Sequence, residues 1–592
     1  MVGATIAVAW ALLLVRACFA AGPFLKELDA STWVIGNDYW NLTQGRQYAT
    51  KLYYKEHDCV GDAWGHYVSY NGAQSDLNWT SADIYQRTAE YIDVRFNATE
   101  GEMHWVIYAD LAGAYQYFVN RALPVLGEFR TLWRLDNTTF PNARTNEKDG
   151  PLPDLTLYAN ATKVQDETWQ LSSGEYLTKY DWTTFLRDVD YYGVYGDEFG
   201  SWYINPGKDY FNGDHLKQEL IVHRESATGD AVQLNMLHGT HFQASSSDAF
   251  ADGKLWGPWL WYLNNGSKPD AAARQAQEFA SWPYSWFSHP GYQARARRIR
   301  GTLRLSDGRP AAGAAVFLGD SNPNTSTLDM GRGSYYTAYA DAGGAFAFEH
   351  VRAGTYGLQA WANGGAVIGD VAGAYVRNSS VVVVAGGSEG AESSAADVDG
   401  AEIELGTLTW RVPGGRERLF LLGDFDRKAL GFKHGGAARA HGLVERCPAN
   451  LTFVVGRSAA DSDWCFGQSA PGAWEITFFV GDGGGNNTAN GTGTAIASNS
   501  ARKALLTVSL AGYSSGTTAG VFVNGARVGN LTDIASDPSL YRSATAAGEW
   551  HLFEFEVAGG VLREGWNRVA FVVEKSSRWR GFLWDAVGLE WV

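Results

Sequence analysis

Between Trp33 and about Pro290 the chain runs through short segments in which apolar and polar residues alternate, and its fold follows from that period of two. In Tyr91 to Phe96 the apolar Ile92, Val94 and Phe96 take turns with Asp93 and Arg95, which aims one face of an extended strand at a core. Met103 to Asp110 and Ala114 to Val119 continue the pattern. Helical periodicity is confined to one convincing segment, Pro269 and Asp270 followed by AAARQAQEFASW, with Asp270 placed to cap the first turn. Aromatic residues make up 14% of the chain, charged residues only 19%, and glycines number 69, a mix that suits strands and turns better than helical bundles or disorder. The expectation is a mostly β protein whose first part is a large sandwich of antiparallel sheets, one face packed and the other able to line a groove.

A length of 592 residues fits three or four domains on a prior of ~100 to 200 residues each. After Arg300 aromatics thin out, and GTLRLSDGRPAAGAAVFLGD reads as two strands about an Asp307-Gly308 turn. Phe346 with Phe348, and Tyr356 with Leu358, give two more, and IELGTLTW a last one, so residues 296–410 predict a small immunoglobulin-like or fibronectin-III-like sandwich. In residues 411–592 alternation returns at Leu506, Val508 and Leu510, at Val521 and Val523 before an Asn524-Gly525 hairpin turn, and at Phe553, Phe555 and Val557. That block predicts a further antiparallel sandwich of jelly-roll type, which by itself assigns no function.

The first 21 residues carry an apolar run from Ala4 to Val15 followed by small residues, as a signal peptide would; the competing expectation, given Arg16, is a signal anchor. Sequons at Asn41, Asn78, Asn97, Asn137, Asn160, Asn265, Asn324, Asn378, Asn450, Asn486, Asn490 and Asn530 agree with a secreted, extracellular chain. Past the leader, Cys447 and Cys465 are candidates for a local disulfide, and Cys59 is expected to be a buried free thiol. The formal charge of −16 excludes nucleic acid as a natural partner, and no later segment is apolar for long enough to span a membrane.

Secretion and abundant Trp and Tyr point to a sugar ligand, because aromatic faces pack against the C–H faces of pyranose rings. The segments EFRTLWRLD, LTKYDW, GSWYINPGKDYFNGDHLKQEL, LNMLHGTHFQ and WPYSWF, and downstream FVVGRSAADSDWCFGQ and FLWDAVGLEW, resemble rhamnogalacturonan lyases of polysaccharide lyase family 4 in order and spacing. The resemblance implies three domains: a catalytic, galactose-mutarotase-like β-super-sandwich (22–295), a fibronectin-III-like domain (296–410) and a carbohydrate-binding-like jelly roll (411–592). It also implies β-elimination in the rhamnogalacturonan I backbone of pectin, at the bond joining rhamnose to O4 of galacturonate. Such a reaction needs a base for H5, a donor for the leaving O4, and cations to neutralise the uronate as it becomes enolate-like.

Residue by residue, Lys179 matches the family's catalytic lysine, His241 its catalytic histidine, and Arg130 with Arg134 an arginine pair whose even spacing turns both side chains to one face of a strand. Guanidinium neighbours and burial would depress the lysine pKa, by up to ~3–5 units for full burial, so that a neutral amine serves as base. The alternative for each arginine is an ion pair with Glu128, Asp136 or another carboxylate. On an extended strand His238 would face away from His241. Lys217, in HLKQEL, also matches a lysine of the motif and either meets substrate or closes a loop, the loop being the expectation.

Leu234 and Met236 stand where fungal members carry tyrosines, so those substrate contacts do not carry over. No cofactor is expected for catalysis, with arginine in place of metal; Asp197-Glu198 and Asp461 with Asp463 are ordinary surface acids, and a structural calcium in the third domain is left open. The expected partner is the pectin polysaccharide and the expected state a monomer. Two other readings stand beside the lyase: a non-catalytic cell-wall-binding protein, and a glycoside hydrolase, for which no carboxylate pair is evident.

Overall fold

The structure, a computed structural model, describes residues 22–592 apart from 71–75, 126, 240, 243–248, 322–325, 329, 366, 385–399, 438–439 and 482–500. The expected leader, the sequons Asn324, Asn486 and Asn490, and most of the Gly/Ser-rich 386–400 segment lie outside the described residues. The chain is nearly all β, and its sheets fall into three successive groups.

The first group holds a nine-stranded antiparallel sheet running from Asp149–Pro151 at one edge to Ser81–Arg87 at the other, and a four-stranded sheet in the order Val222–Arg224, Ala231–His238, Phe129–Leu135, Gly65–Tyr70. Tryptophans join them. Trp133 of the small sheet stacks on Trp261 of the large one at 4.6 Å, and Trp105 and Trp40 meet the same indole edge-on at 5.9 and 5.2 Å. All four are buried, so the two sheets form a sandwich around an aromatic core.

The alternation in Tyr91–Asn97 is real, yet its polar face is not wet. Asp93 is 2% exposed, accepting from Tyr117 Oη at 2.5 Å and meeting His104 Nδ1 at 3.0 Å. The reason is a second layer: Tyr284, Phe287 and Tyr292 pack on that side of the large sheet together with Ala271 of the helix Lys268–Ser281. The helix cap is Ser267, whose side chain accepts from the Asp270 N–H at 3.3 Å, while Asp270 binds Tyr262 and Asn264 instead.

In the second group a three-stranded sheet centred on Arg295–Leu305 faces a four-stranded sheet containing Ala315–Gly319 and Gly354–Trp361. Leu303, Leu305, Val316, Leu318, Phe346, Phe348, Tyr356 and Leu358 are buried between them. The third group pairs two five-stranded sheets, one built on Ala504–Tyr513 and Phe582–Trp591, the other on Gly472–Val480 and Gly565–Lys575. Leu506, Val508, Leu510, Val521 and Val523 enter its core as expected, whereas Phe553 and Phe555 are only partly buried. Asn524 and Gly525 take left-handed φ values of 48° and 84°, the geometry a two-residue hairpin turn requires. Cys447 and Cys465 form a disulfide with Cα atoms 5.8 Å apart. Cys59 is a buried free thiol whose pKa burial pushes up to about 12.

Candidate active site

The four-stranded sheet turns one face to the tryptophan core and the other outward. Strand Phe129–Leu135 buries Phe129, Thr131, Leu132, Trp133 and Leu135; alternation sets Leu132 on the same face as Arg130 and Arg134, and only the two arginines there are partly exposed. Arg130 sits between Ser69 and Met236 in the sheet register, and Arg134 between Gly65 and Val232. Gly65 has φ +74°, and a Cβ there would run into the Ala49 carbonyl, so glycine is what lets the sheet edge come this close.

Both arginines are held by carboxylates. Arg130 pairs with Glu128 at 2.8 Å and donates to Ser69 Oγ at 3.3 Å. Arg134 reaches Glu225 at 3.1 Å and Asp230 at 3.3 Å, donates to Tyr67 Oη at 3.1 Å, and lies over the half-exposed Trp64 ring at 4.7 Å. The result is a pair of oriented cations beside an accessible indole.

Lys179 opens a single 3-10 turn, Lys179–Trp182, capped by Thr178. Its Nζ lies 3.4 Å from Asp166 Oδ2 and 5.4 Å from the centre of the Tyr180 ring. The ion partner of Lys179 is thus a carboxylate, where the sequence had led us to expect guanidinium neighbours. Arg134 nevertheless shares its surroundings, because Glu225 feels both Arg134 and Lys179. Contact with His223 at 3.9 Å, joined by those two cations, holds Glu225 down to about 2. His223 itself is pushed down to about 4, first by burial and further by the Lys179 charge, against the pull of Glu225.

His241 does not continue the strand Ala231–His238, which ends three residues earlier, so strand alternation does not decide its direction. Three anchors set it instead. Glu219 Oε2 meets His241 Nδ1 at 2.7 Å and accepts the His241 backbone N–H at 3.3 Å, and Arg542 donates to the His241 carbonyl at 2.6 Å. With Nδ1–H given to Glu219, Nε2 is the nitrogen left for a ligand; the tautomer follows from that bond. Burial would raise the Glu219 pKa, but Lys217 at 3.4 Å and His241 outweigh it, and the carboxyl is held below its ordinary value. Fully buried Lys217 also bonds Asn212 and the Gly239 carbonyl, closing the loop before His241. His238 is fully buried against Phe250.

Lys179 and His241 meet across one aromatic ring. Tyr180 lies 6.3 Å from the His241 ring, centre to centre, and donates to Asp166 Oδ2 at 2.6 Å. Arg542 spans the same ground, 4.7 Å over Tyr180 and 3.7 Å from Asp166. Sequence reasoning missed Arg542, Glu219, Asp166, His223 and Trp64. Glu219 sits within the HLKQEL segment and was open to discovery there; Arg542, 301 positions from His241, had no local signal. Among the described residues no group of three or more His, Cys, Asp or Glu side chains could hold a metal ion.

Comparison with known proteins follows this geometry. A model described as polysaccharide lyase family 4, domain II, matches residues 306–390, and one described as CBM-like, polysaccharide lyase family 4, domain III, matches residues 418–589. The chain is 30% identical over 517 residues to the rhamnogalacturonate lyase of Dickeya dadantii (strain 3937), covering 84% of this chain and 82% of that one. It is 25% identical over 415 residues to the probable rhamnogalacturonate lyase B of Aspergillus niger, covering 62% of this chain and 52% of the relative. For rhamnogalacturonate lyase B of Emericella nidulans the figures are 24% over 389 residues, 60% and 54%, so the chain spans about half the length of these fungal relatives.

Proposed function

Because the chain belongs to polysaccharide lyase family 4, we propose that it is a secreted rhamnogalacturonan endolyase that cleaves the rhamnose–galacturonate bond of pectin by β-elimination. The observation that carries this reading is the convergence of Lys179 and His241 on Tyr180, with Glu225 linking Lys179 to Arg134 on the sheet face that also carries Arg130.

A uronate carboxylate docks on the arginine pair, where two guanidinium groups stabilise the charge that builds when the neighbouring C5–H bond is broken. Lys179, as the neutral amine, takes H5; the electron pair left on C5 forms the C4–C5 double bond as the C4–O4 bond breaks. His241, entering the step as the imidazolium, delivers its Nε2 proton to the departing O4 and is left as the neutral ring whose Nδ1–H Glu219 holds in orientation. Asp166 has a stated part as well. It pairs with the Lys179 ammonium in the free protein, so the side chain must leave that contact and give up its proton to solvent before the amine can act as base.

The test is ultraviolet absorbance of the unsaturated uronide during incubation with rhamnogalacturonan I. Lys179→Ala and His241→Ala should each lower the rate by about 10²–10⁴-fold with the unfolding temperature kept. Polysaccharide binding without any absorbance rise in the unaltered protein would turn the reading into that of a binding protein, and water added across the bond without a double bond would make it a hydrolase.

A further inference from the structure

We propose that a second site, a cavity of about 340 Å³ where all three groups of sheets meet, binds one neutral sugar unit. The first group contributes Phe185, Asp188, His215 and Gln218, the second Tyr339, and the third Lys428 and the 545–546 segment. It is separate from the site above but shares a wall with it. On strand Gln218–Leu220, neighbouring side chains point to opposite sides, so Glu219 serves His241 while Gln218 faces the cavity, its amide fixed on the Ala547 carbonyl at 2.6 Å.

The cavity has the size and composition of a small-ligand pocket, with an apolar wall and a few fixed polar groups. Tyr339 is 51% exposed at the rim, an aromatic face set against His215 with ring centres 5.2 Å apart. His215 is the group that asks for a ligand. It is 4% exposed, stacked on Trp361 at 5.1 Å, and neither ring nitrogen has a hydrogen-bond partner among the described residues. A buried imidazole with both nitrogens unbonded is uncommon, and a ligand hydroxyl can serve either as donor or as acceptor to it. Charge selects the kind of sugar. Among the lining residues the carboxylates Glu147 and Asp188 outnumber the one cation, Lys428, which already lies 3.9 Å from Asp426; Lys208, Arg427 and Arg187 act from behind the wall, so a uronate is disfavoured at the lining while neutral hydroxyls find acceptors.

The inference does not depend on the elimination chemistry, and its test is kept apart from activity. Saturation-transfer NMR on the full chain, with L-rhamnose, D-galactose and D-galacturonate as probes, should show at least one neutral sugar binding in the millimolar range and the uronate about tenfold more weakly or not at all. Tyr339→Ala and His215→Phe should each weaken that sugar about tenfold, the second with the ring's shape preserved. Lys179→Ala should retain the signal, which separates this cavity from the lyase site. Absence of saturation by both neutral sugars would overturn the proposal. So would a response that survives both cavity variants, or galacturonate binding as well as the neutral sugars do.

Discussion

The first group of sheets is tied to the second and to the third by two different kinds of contact. Against the second group stands a buried ionic knot: Asp209 binds Arg295 and Arg352, each at 2.8 Å, and all three residues are buried. Nearby Arg187 donates to the carbonyls of Lys208, Phe211, Gly213 and Tyr335. Against the third group there is no such knot among the described residues: Tyr180 and Phe242 pack on Ala544, Gln165 donates to the Tyr541 carbonyl at 2.7 Å, Arg578 to Tyr176 Oη at 2.7 Å, and Arg542 reaches partly exposed Asp166. A buried triad of charges has one good arrangement and no solvent to fall back on, so it fixes an angle between domains. Ions in touch with water exchange partners cheaply, which is what a site must do when a polyanion arrives. The lesson is that buried, unexchangeable charge fixes parts in place, Asp209 at the second-group junction and Glu219 with Lys217 behind His241, while half-exposed Asp166 offers Lys179 a partner it can exchange.

Removing the anion of the knot should break the comparison most visibly. Asp209→Ala leaves two buried guanidinium groups without a counterion, a loss of about 3–5 kcal/mol that calorimetric unfolding of the whole chain would register. A change within error would mean that the knot is dispensable and that the two junctions do not differ in kind. Next in size is Arg542→Ala. It withdraws a donor from the His241 carbonyl and a cation from Asp166, and the expected result is a fall of roughly 10–100-fold in kcat/KM through misplacement of the imidazole, with little change in unfolding temperature. Should stability drop while turnover holds, the third-group junction would be structural after all. Arg542→Lys, which keeps the charge but loses the planar fork, should fall between the two.

These contacts also mark where the sequence stopped being readable. Period-two alternation located the strands that carry Leu303, Val316, Leu506 and Val521, because each needs only its own side chains to declare a buried face. It misjudged Asp93, whose face is covered by a segment almost 200 residues later, and no local pattern announces a second layer. The even spacing of Arg130 and Arg134 put them on one face, as the sheet has them. Their carboxylate partners divide by distance: Glu128 lies two residues away and could be named, while Glu225 and Asp230 come from across the sheet. His241 was legible as a residue and illegible as a geometry, since the strand that was to orient it ends before it and its anchors come from Glu219 and Arg542.

The smallest expected effect sets two buried aspartates against each other. In the knot, burial alone would raise the Asp209 pKa, but Arg352 and Arg295 bring it down to about 2. Its folded value is therefore below the unfolded ~3.9, so its contribution is complete above pH ~4 and lost as pH falls toward 2. In the third group Asp537 has no cation partner among the described residues: it accepts from Ser539 Oγ and from the backbone N–H groups of Tyr513, Ser539 and Glu549, and burial still pushes it up to about 6. The sign is reversed. Ionised Asp537 costs the fold stability as pH rises from ~4 to 6, and acidification through that window should be stabilising, by ~2 kcal/mol. Unfolding measured between pH 2 and 8 should then show a gain on going from 6 to 4 that disappears in Asp537→Asn, and a loss from 4 to 2 that flattens in Asp209→Asn. Reading slopes rather than absolute stability makes the comparison independent of how much either amide disturbs its neighbours. If both variants flatten the same window, the two carboxyls share one electrostatic environment, and the contrast between a cation-locked junction and an uncompensated third-group core fails.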